Sequence, residues 1–109
     1  MTTTLKLAEV TVESGEGYVN AIRAGQHALT TDEPVANGGK DTGPAPYPLL
    51  TAALGACTSA TLKMYAQRKG WELGKVTVRL KLLRPEEGGD RLERTIECSA
   101  ALNEEQRAK

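Results

Sequence analysis

Residues 47–70 read YPLLTAALGACTSATLKMYAQRKG, and this stretch decides the fold. Its first half is apolar on nearly every face, which is typical of a helix that is buried on several sides. Pro48 suits a first helical turn, where a missing amide donor costs no hydrogen bond. Basic residues near the end complement the negative pole of the helix dipole, and Gly70 is a good terminator. The stretch therefore predicts one long central helix over residues 47–70.

Strand patterns flank this helix on both sides in the sequence. Residues 1–31 predict a three-stranded meander, made of a strand-like segment around residues 5–12 and strands over residues 18–23 and 27–31. After the helix, residues 73–101 alternate apolar and polar side chains on either side of a Pro and Gly turn. They predict an antiparallel hairpin with one face covered by the helix.

The remaining segments complete one predicted domain over residues 1–109, a length too short for two cores of ordinary size. Residues 32–48 are rich in Pro, Gly, Asn and Asp, and they predict a long loop. Within it, Asp32 and Asp41 are expected to tie the loop to its own backbone. Asn103-Glu104-Glu105-Gln106 has the pattern of a capping box, so a second helix is predicted to begin in residues 103–109.

The composition excludes several classes of function. Fourteen basic residues balance fourteen acidic ones and aromatic residues are scarce, so we predict no nucleic-acid partner and no membrane partner. The N-terminus lacks a signal-peptide pattern and no apolar run reaches the length of a membrane span, so a cytoplasmic location is expected. There Cys57 and Cys98 should be free thiols. With His27 as the single histidine, neither a metal nor a cofactor is predicted.

Cys57 is the main chemical candidate. It lies on the predicted helix among small neighbours, which leave space for a substrate or a partner chain to approach the sulfur. The alternative is that Cys57 is a small buried hydrophobic residue, as free cysteines commonly are. The Thr58 hydroxyl has two options, a bond to a thiolate or a bond back to the helix backbone. A reactive cysteine needs nearby positive charge, which must come from elsewhere in the fold or from another subunit.

Three residues outside the helix are further candidates. Cys98 lies among apolar positions of the last strand and is expected to be a core residue, although a disulfide with Cys57 stays open if their Cα atoms come within about 7 Å. Arg23 is expected to be a solvated surface residue. Arg94 is the exception on an otherwise apolar strand face. A salt bridge is the preferred explanation for Arg94, and a ligand contact is the alternative.

The sequence resembles the OsmC/Ohr family, named for osmotically inducible protein C and organic hydroperoxide resistance protein. The resemblance rests on the order of motifs over residues 27–70, which run as His27-Ala28-Leu29-Thr30-Thr31-Asp32-Glu33-Pro34, Gly38-Gly39, Asp41, Gly43-Pro44, Pro46, Leu49-Leu50, Ala52-Ala53-Leu54-Gly55-Ala56-Cys57-Thr58, Met64-Tyr65-Ala66 and Lys69-Gly70. It is closer to the OsmC-like branch than to the hydroperoxide reductases, and it extends through the strands after Trp71.

The resemblance implies an α+β fold in which curved antiparallel sheets pack on long central helices of an intertwined homodimer. It also implies reduction of organic hydroperoxides, with Cys57 as the peroxide-attacking residue that becomes a sulfenic acid. A second cysteine then condenses with it to a disulfide, and a small dithiol or a lipoylated protein is the reductant.

The chain departs from the family's peroxidases at three positions. Their second cysteine lies in a Cys-Pro-Val-His-like motif on the helix that begins here at Asn103, and Cys98 does not match that position. Their glutamate, ten residues before the reactive cysteine, is replaced by Tyr47. Their early arginine has no clear counterpart: Gly15-Glu16-Gly17 occupies that region, and Arg23 is a possible substitute.

The resemblance and these three departures together lead to two hypotheses about function, from different classes. The first is a thiol-dependent peroxidase in oxidative-stress defence that acts on organic hydroperoxides through Cys57, with Tyr47, Arg23, Thr58 and Cys98 as possible supporting residues. The alternative is a non-enzymatic or truncated OsmC-like protein that binds an apolar small ligand near Cys57. Because a shortened domain would leave apolar strands uncovered, an obligate dimer is predicted.

Overall fold

The computed structural model of the protein describes residues 4–100. Its elements are β1 (Val10–Ser14), β2 (Asn20–Ala24), β3 (His27–Thr31), a 3-10 turn (Val35–Asn37), α1 (Pro46–Lys69), β4 (Val76–Leu83) and β5 (Arg91–Cys98). The expected α+β fold, with antiparallel sheets and one long helix, is confirmed. The chain divides after Leu49 into two compact units. The helix predicted in residues 103–109 lies outside the described residues.

The first unit contains an antiparallel sheet in the order β1-β2-β3. β1 starts at Val10, which pairs with Ala24, the last residue of β2. The strand-like pattern that begins at Leu5 therefore extends beyond the observed strand, because β2 offers no residue to pair with it before Val10. The turn from β2 to β3 places Gly25 at a φ of 62°, a conformation that glycine adopts without strain.

The loop after β3 is folded around the carboxylate of Asp32, which is only 1% exposed. Oδ1 accepts a hydrogen bond from the Glu33 amide at 2.8 Å. Oδ2 accepts bonds from the Lys40 amide at 3.1 Å and from the amide and hydroxyl of Thr42 at 3.2 and 2.8 Å. The prediction that Asp32 ties the loop to its own backbone is confirmed.

Helix α1 ends where the sequence predicts its terminator. Gly70 has a φ of 71°, and its amide donates to the Gln67 carbonyl at 3.2 Å. The Trp71 amide reaches back to the Ala66 carbonyl at 2.9 Å, which completes a Schellman motif. The Trp71 ring then meets Tyr65 edge-on, with 5.7 Å between ring centroids. This contact fixes the direction in which the chain leaves the helix.

The second unit contains the hairpin of β4 and β5, paired from Val76 opposite Cys98 to Leu83 opposite Arg91. An ion pair at its turn joins the Arg84 guanidinium to both oxygens of Asp90, at 2.8 and 3.0 Å. This pair lowers the pKa of Asp90, against the smaller opposing effect of burial.

One face of α1 packs on the hairpin. Gly55 is buried there, and a Cβ atom at its position would lie 2.8 Å from Cδ1 of Leu80. Glycine therefore allows the strand to approach the helix closely. Ala66, 4% exposed, is the one buried apolar side chain among residues 4–100. Other faces remain open, since many large apolar side chains are exposed, among them Leu50, Leu54, Met64, Leu92 and Ile96.

The described residues contain no helix that is both long enough and apolar enough to cross a membrane.

Candidate active site around Cys57

An open cavity of about 410 Å³ lies in the second unit, between α1 and the hairpin. Its walls are mostly aliphatic, and they are interrupted by a thiol, two hydroxyls and one guanidinium. The residues that line it are Leu54, Cys57, Thr58, Thr61, Leu62, Leu80, Leu92, Arg94 and Ile96. Such a cavity suits an apolar molecule that carries one polar reacting group.

Helix α1 places Cys57 at the rim of this cavity. The buried face of the helix runs through Gly55 and Ala66, and Cys57 lies on its flank with an exposed thiol. The interpretation of Cys57 as a small buried residue is therefore wrong for the single chain. Gly55 matters for this placement, because the close approach of Leu80 to the helix forms one wall of the cavity.

The Thr58 hydroxyl connects the two elements of the site. It donates to the Leu54 carbonyl one turn earlier at 2.9 Å, the backbone option considered from the sequence. The same oxygen accepts a hydrogen bond from Nη1 of Arg94 at 3.1 Å. Arg94 thus reaches from β5 to the residue that follows Cys57 on the helix.

The preferred explanation for Arg94, a salt bridge, is wrong for the described part of the chain. No carboxylate between residues 4 and 100 pairs with its guanidinium, which contacts the Thr58 hydroxyl instead. The sequence does contain a signal for this contact, because Arg94 interrupts an apolar strand face. It does not contain the partner, since Thr58 and Arg94 are 36 residues apart and meet only through helix packing.

Of the other candidate residues, Cys98 belongs to the same unit as this cavity and does not line it, whereas Tyr47 and Arg23 belong to the first unit. Cys98 is half-buried at the end of β5, opposite Val76. Tyr47 lies in the first turn of α1 and is 56% exposed. Arg23 is exposed on β2, opposite Thr11 of β1. Within residues 4–100, no group of three or more His, Cys, Asp and Glu side chains is arranged to hold a metal ion.

Solved structures share this fold. A protein from Psychrobacter arcticus 273-4, named for an osmotic stress and detoxification response, matches with a TM-score of 0.80 and 17% identity, over 98% of this chain and 81% of that one. An organic hydroperoxide resistance protein OsmC from Legionella pneumophila matches with a TM-score of 0.66 and 20% identity, over 97% and 80% of the two chains.

A third match names a ligand. It is an organic hydroperoxide resistance protein from Vibrio cholerae O1 biovar eltor, with captopril bound in one of its active sites. Its TM-score is 0.63 at 24% identity, over 95% of this chain and 74% of that one. At these identities the three structures establish the fold.

The sequence itself establishes the family. Residues 38–109 match the family described as OsmC-like protein, so the chain belongs to the OsmC-like family. No curated protein matches the sequence closely enough to add a relative of known activity.

Proposed function

We propose that this protein is a thiol-dependent peroxidase that reduces organic hydroperoxides through Cys57. The observation that carries the proposal is the exposed Cys57 thiol at the rim of a largely aliphatic cavity. The aliphatic walls suit the organic group of a hydroperoxide, and the open rim leaves the sulfur accessible. The names of the Legionella and Vibrio structures point to the same class of substrate.

The first step is a displacement at oxygen. The Cys57 thiolate attacks the terminal oxygen of the hydroperoxide, so that an S–O bond forms while the O–O bond breaks. The sulfur is oxidised to a sulfenic acid, and the peroxide is reduced to an alkoxide that takes a proton from water and leaves as the alcohol. The aliphatic walls formed by Leu54, Leu80 and Ile96 hold the organic group during this step.

The second step restores the thiol with an external dithiol, either a small molecule or a lipoylated protein. Its first thiol attacks the sulfenic sulfur and releases water, which leaves a mixed disulfide on Cys57. Its second thiol then releases the Cys57 thiol, and the reductant departs as a disulfide. Cys98 does not line the cavity, so an external reductant accounts for this step more simply than Cys98 does. The cytoplasm is the proposed location, since it keeps thiols reduced.

We also propose that the protein acts as a homodimer. The supporting observation is the exposure of large apolar side chains on α1 and on the hairpin outside the cavity, including Leu50, Met64 and Leu82. A second copy of the chain offers apolar surface of the same kind, and burying both surfaces stabilises the pair.

An alternative function is the binding of an apolar small ligand near Cys57 without turnover. The aliphatic lining of the cavity favours it as much as it favours a peroxide substrate. The two functions differ in the chemistry of the thiol, because a binding protein has no need for a peroxide-reactive sulfur.

The deciding experiment is peptide mass mapping after brief treatment with one equivalent of cumene hydroperoxide and then with a small dithiol. Trypsin separates the two cysteines, since Lys40 and Lys63 bound one peptide while Arg94 and Arg107 bound the other. We expect selective, dithiol-reversible oxidation of Cys57, and loss of peroxide consumption in Cys57→Ser. Cys98 serves as the internal control. An unmodified Cys57 under these conditions would favour the binding protein.

A further inference from the structure

We propose that Arg94 is a positioning residue of the Cys57 site, whose guanidinium is held by the Thr58 hydroxyl and supports the Cys57 thiolate. The inference rests on the proposed function for its choice of Cys57 as the reacting group. It assigns the source of positive charge that a reactive cysteine requires and that the sequence alone leaves open.

The position of Arg94 on β5 is the first observation. Its neighbours on the same strand face are Leu92 and Ile96, and it pairs with Leu80 across the hairpin. All three line the cavity together with Cys57. An arginine can lay its aliphatic stem on such a surface and extend its head group into water. Here the head group turns instead towards the helix and reaches Thr58 at 3.1 Å.

The second observation concerns charge. Three other arginines of the hairpin each meet a carboxylate, in the pairs Arg79–Glu97, Arg84–Asp90 and Arg91–Glu93. Arg94 meets a neutral hydroxyl, so no carboxylate among the described residues offsets its charge. A guanidinium carries five N–H donors, and the bond to Thr58 uses one of them. The other donors can face an anion in the cavity that Cys57 also lines, where a nearby positive charge favours a thiolate.

The third observation is that Thr58 is itself fixed. Its hydroxyl proton is directed to the Leu54 carbonyl at 2.9 Å, which leaves the oxygen lone pairs free to accept from Arg94. Thr58 follows Cys57 directly on α1, so the bond holds the guanidinium at the neighbouring residue, in the cavity that Cys57 also lines. The geometry therefore assigns two roles: Thr58 holds the guanidinium in place, and Arg94 provides the positive charge.

The test is the alkylation rate of Cys57 with iodoacetamide at neutral pH, followed by peptide mass mapping in the full chain. Arg94→Met removes the charge and keeps the apolar stem, and we expect the rate to fall on the order of tenfold, at the low end of what a nearby charge does to a thiol. Arg94→Lys should retain most of the rate. Thr58→Val should give an intermediate loss. The matched control is Arg79→Met on the outer face of the same hairpin, which should leave the rate unchanged.

Salt separates a charge effect from a change of shape. Added sodium chloride should slow alkylation of the unmodified protein towards the rate of Arg94→Met, and it should leave that variant nearly unaffected. Alkylation of Arg94→Met at the original rate, or of Arg94→Lys as slowly as Arg94→Met, would overturn the inference. If Arg94→Met no longer melts cooperatively, the alkylation rate of Thr58→Val and its salt dependence are compared with those of the unmodified protein instead.

Alkylation requires no peroxide, so the inference and the proposed function can fail separately. Peroxide oxidation of Cys57 with no effect of Arg94→Met would leave the function standing and overturn the role of Arg94. A slowed Arg94→Met variant in a protein that peroxide does not oxidise would support the role of Arg94 and contradict the peroxidase.

Discussion

Asp32 shows how a single carboxylate can organise a loop that has little regular structure. Burial works to raise the pKa of Asp32, because it penalises the charged form. The hydrogen bonds from the Thr42 hydroxyl and from the amides of Thr42, Glu33 and Lys40 favour the charged form and outweigh burial, so the pKa lies below its ordinary value. The ionised carboxylate is thus the form that the folded loop selects.

Replacement of Asp32 by Asn should therefore destabilise the protein. The amide group of asparagine puts an N–H donor where one carboxylate oxygen accepts hydrogen bonds, so at least one loop donor loses its acceptor. We expect Asp32→Asn to lower the Tm by several degrees at neutral pH. Asp41→Asn is the matched control, because Asn tolerates the positive φ of 55° at that position and Asp41 makes none of these bonds.

The pH dependence of this difference follows from the lowered pKa. A carboxyl whose pKa is lower in the folded state contributes stability that is complete above its unfolded pKa of about 3.9 and is lost as the pH falls through its folded pKa. The Tm difference between the unmodified protein and Asp32→Asn should thus be constant near neutral pH and shrink in acid. A difference that persists unchanged well below pH 3 would contradict this account of Asp32.

Among the secondary-structure elements, local signals were reliable for α1 and incomplete for β1. The first turn of α1 carries Pro46 and Pro48, and Gly70 follows its last residue, so the bounds can be deduced from residues in the helix and next to it. The start of β1 depends instead on where β2 turns at Gly25, since a strand needs a partner. The Arg94–Thr58 contact is harder still to predict from the sequence, because it depends on how a helix and a hairpin pack.

Gly55 provides a test of that packing. Gly55→Ala adds a carbon 2.8 Å from a terminal Leu80 methyl that can rotate away, and the gain of about 1 kcal/mol in helix propensity offsets the displacement. We expect little change in Tm for Gly55→Ala. Gly55→Val adds two more carbons and should lower the stability by about 1–3 kcal/mol, as overpacking usually does.

Gln67→Val is the matched control for this series, because it puts the same β-branched residue at an exposed position of the same helix. Urea denaturation of the three variants would measure the differences. An equal effect of Gly55→Val and Gln67→Val would show that Leu80 does not press on Gly55.

In the whole molecule, apolar side chains are plentiful but few of them are covered. Ala66 is the one apolar side chain that is buried within residues 4–100, while fourteen large apolar side chains are exposed, including Leu7, Val35, Leu50 and Met64. The family and the α+β class could be identified from the sequence because they depend on local motifs. The molecule that covers these apolar faces could not be identified from the sequence, because an apolar surface does not specify what binds to it.

The proposed homodimer predicts a concentration-dependent Tm. Association stabilises the folded state by mass action, so the Tm should rise over a hundredfold increase in protein concentration. Sedimentation equilibrium should give twice the chain mass of 11.7 kDa. Met64→Asp, on an exposed face of α1 that does not line the cavity, should weaken association. A sharply melting monomer with a Tm independent of concentration would contradict the homodimer.

The hydroxyl that holds Arg94 has a consequence for which molecules reach the sulfur. A carboxylate in place of the Thr58 hydroxyl would neutralise the guanidinium charge. The site would then discriminate among reactants and reductants by their shape alone. Thr58 holds the same side chain as a neutral partner, so no carboxylate among residues 4–100 pairs with the one guanidinium that lines the cavity. The proposed role of Arg94 therefore predicts that negatively charged reactants and reductants reach Cys57 faster than neutral ones of the same size, and that rising ionic strength reduces the difference.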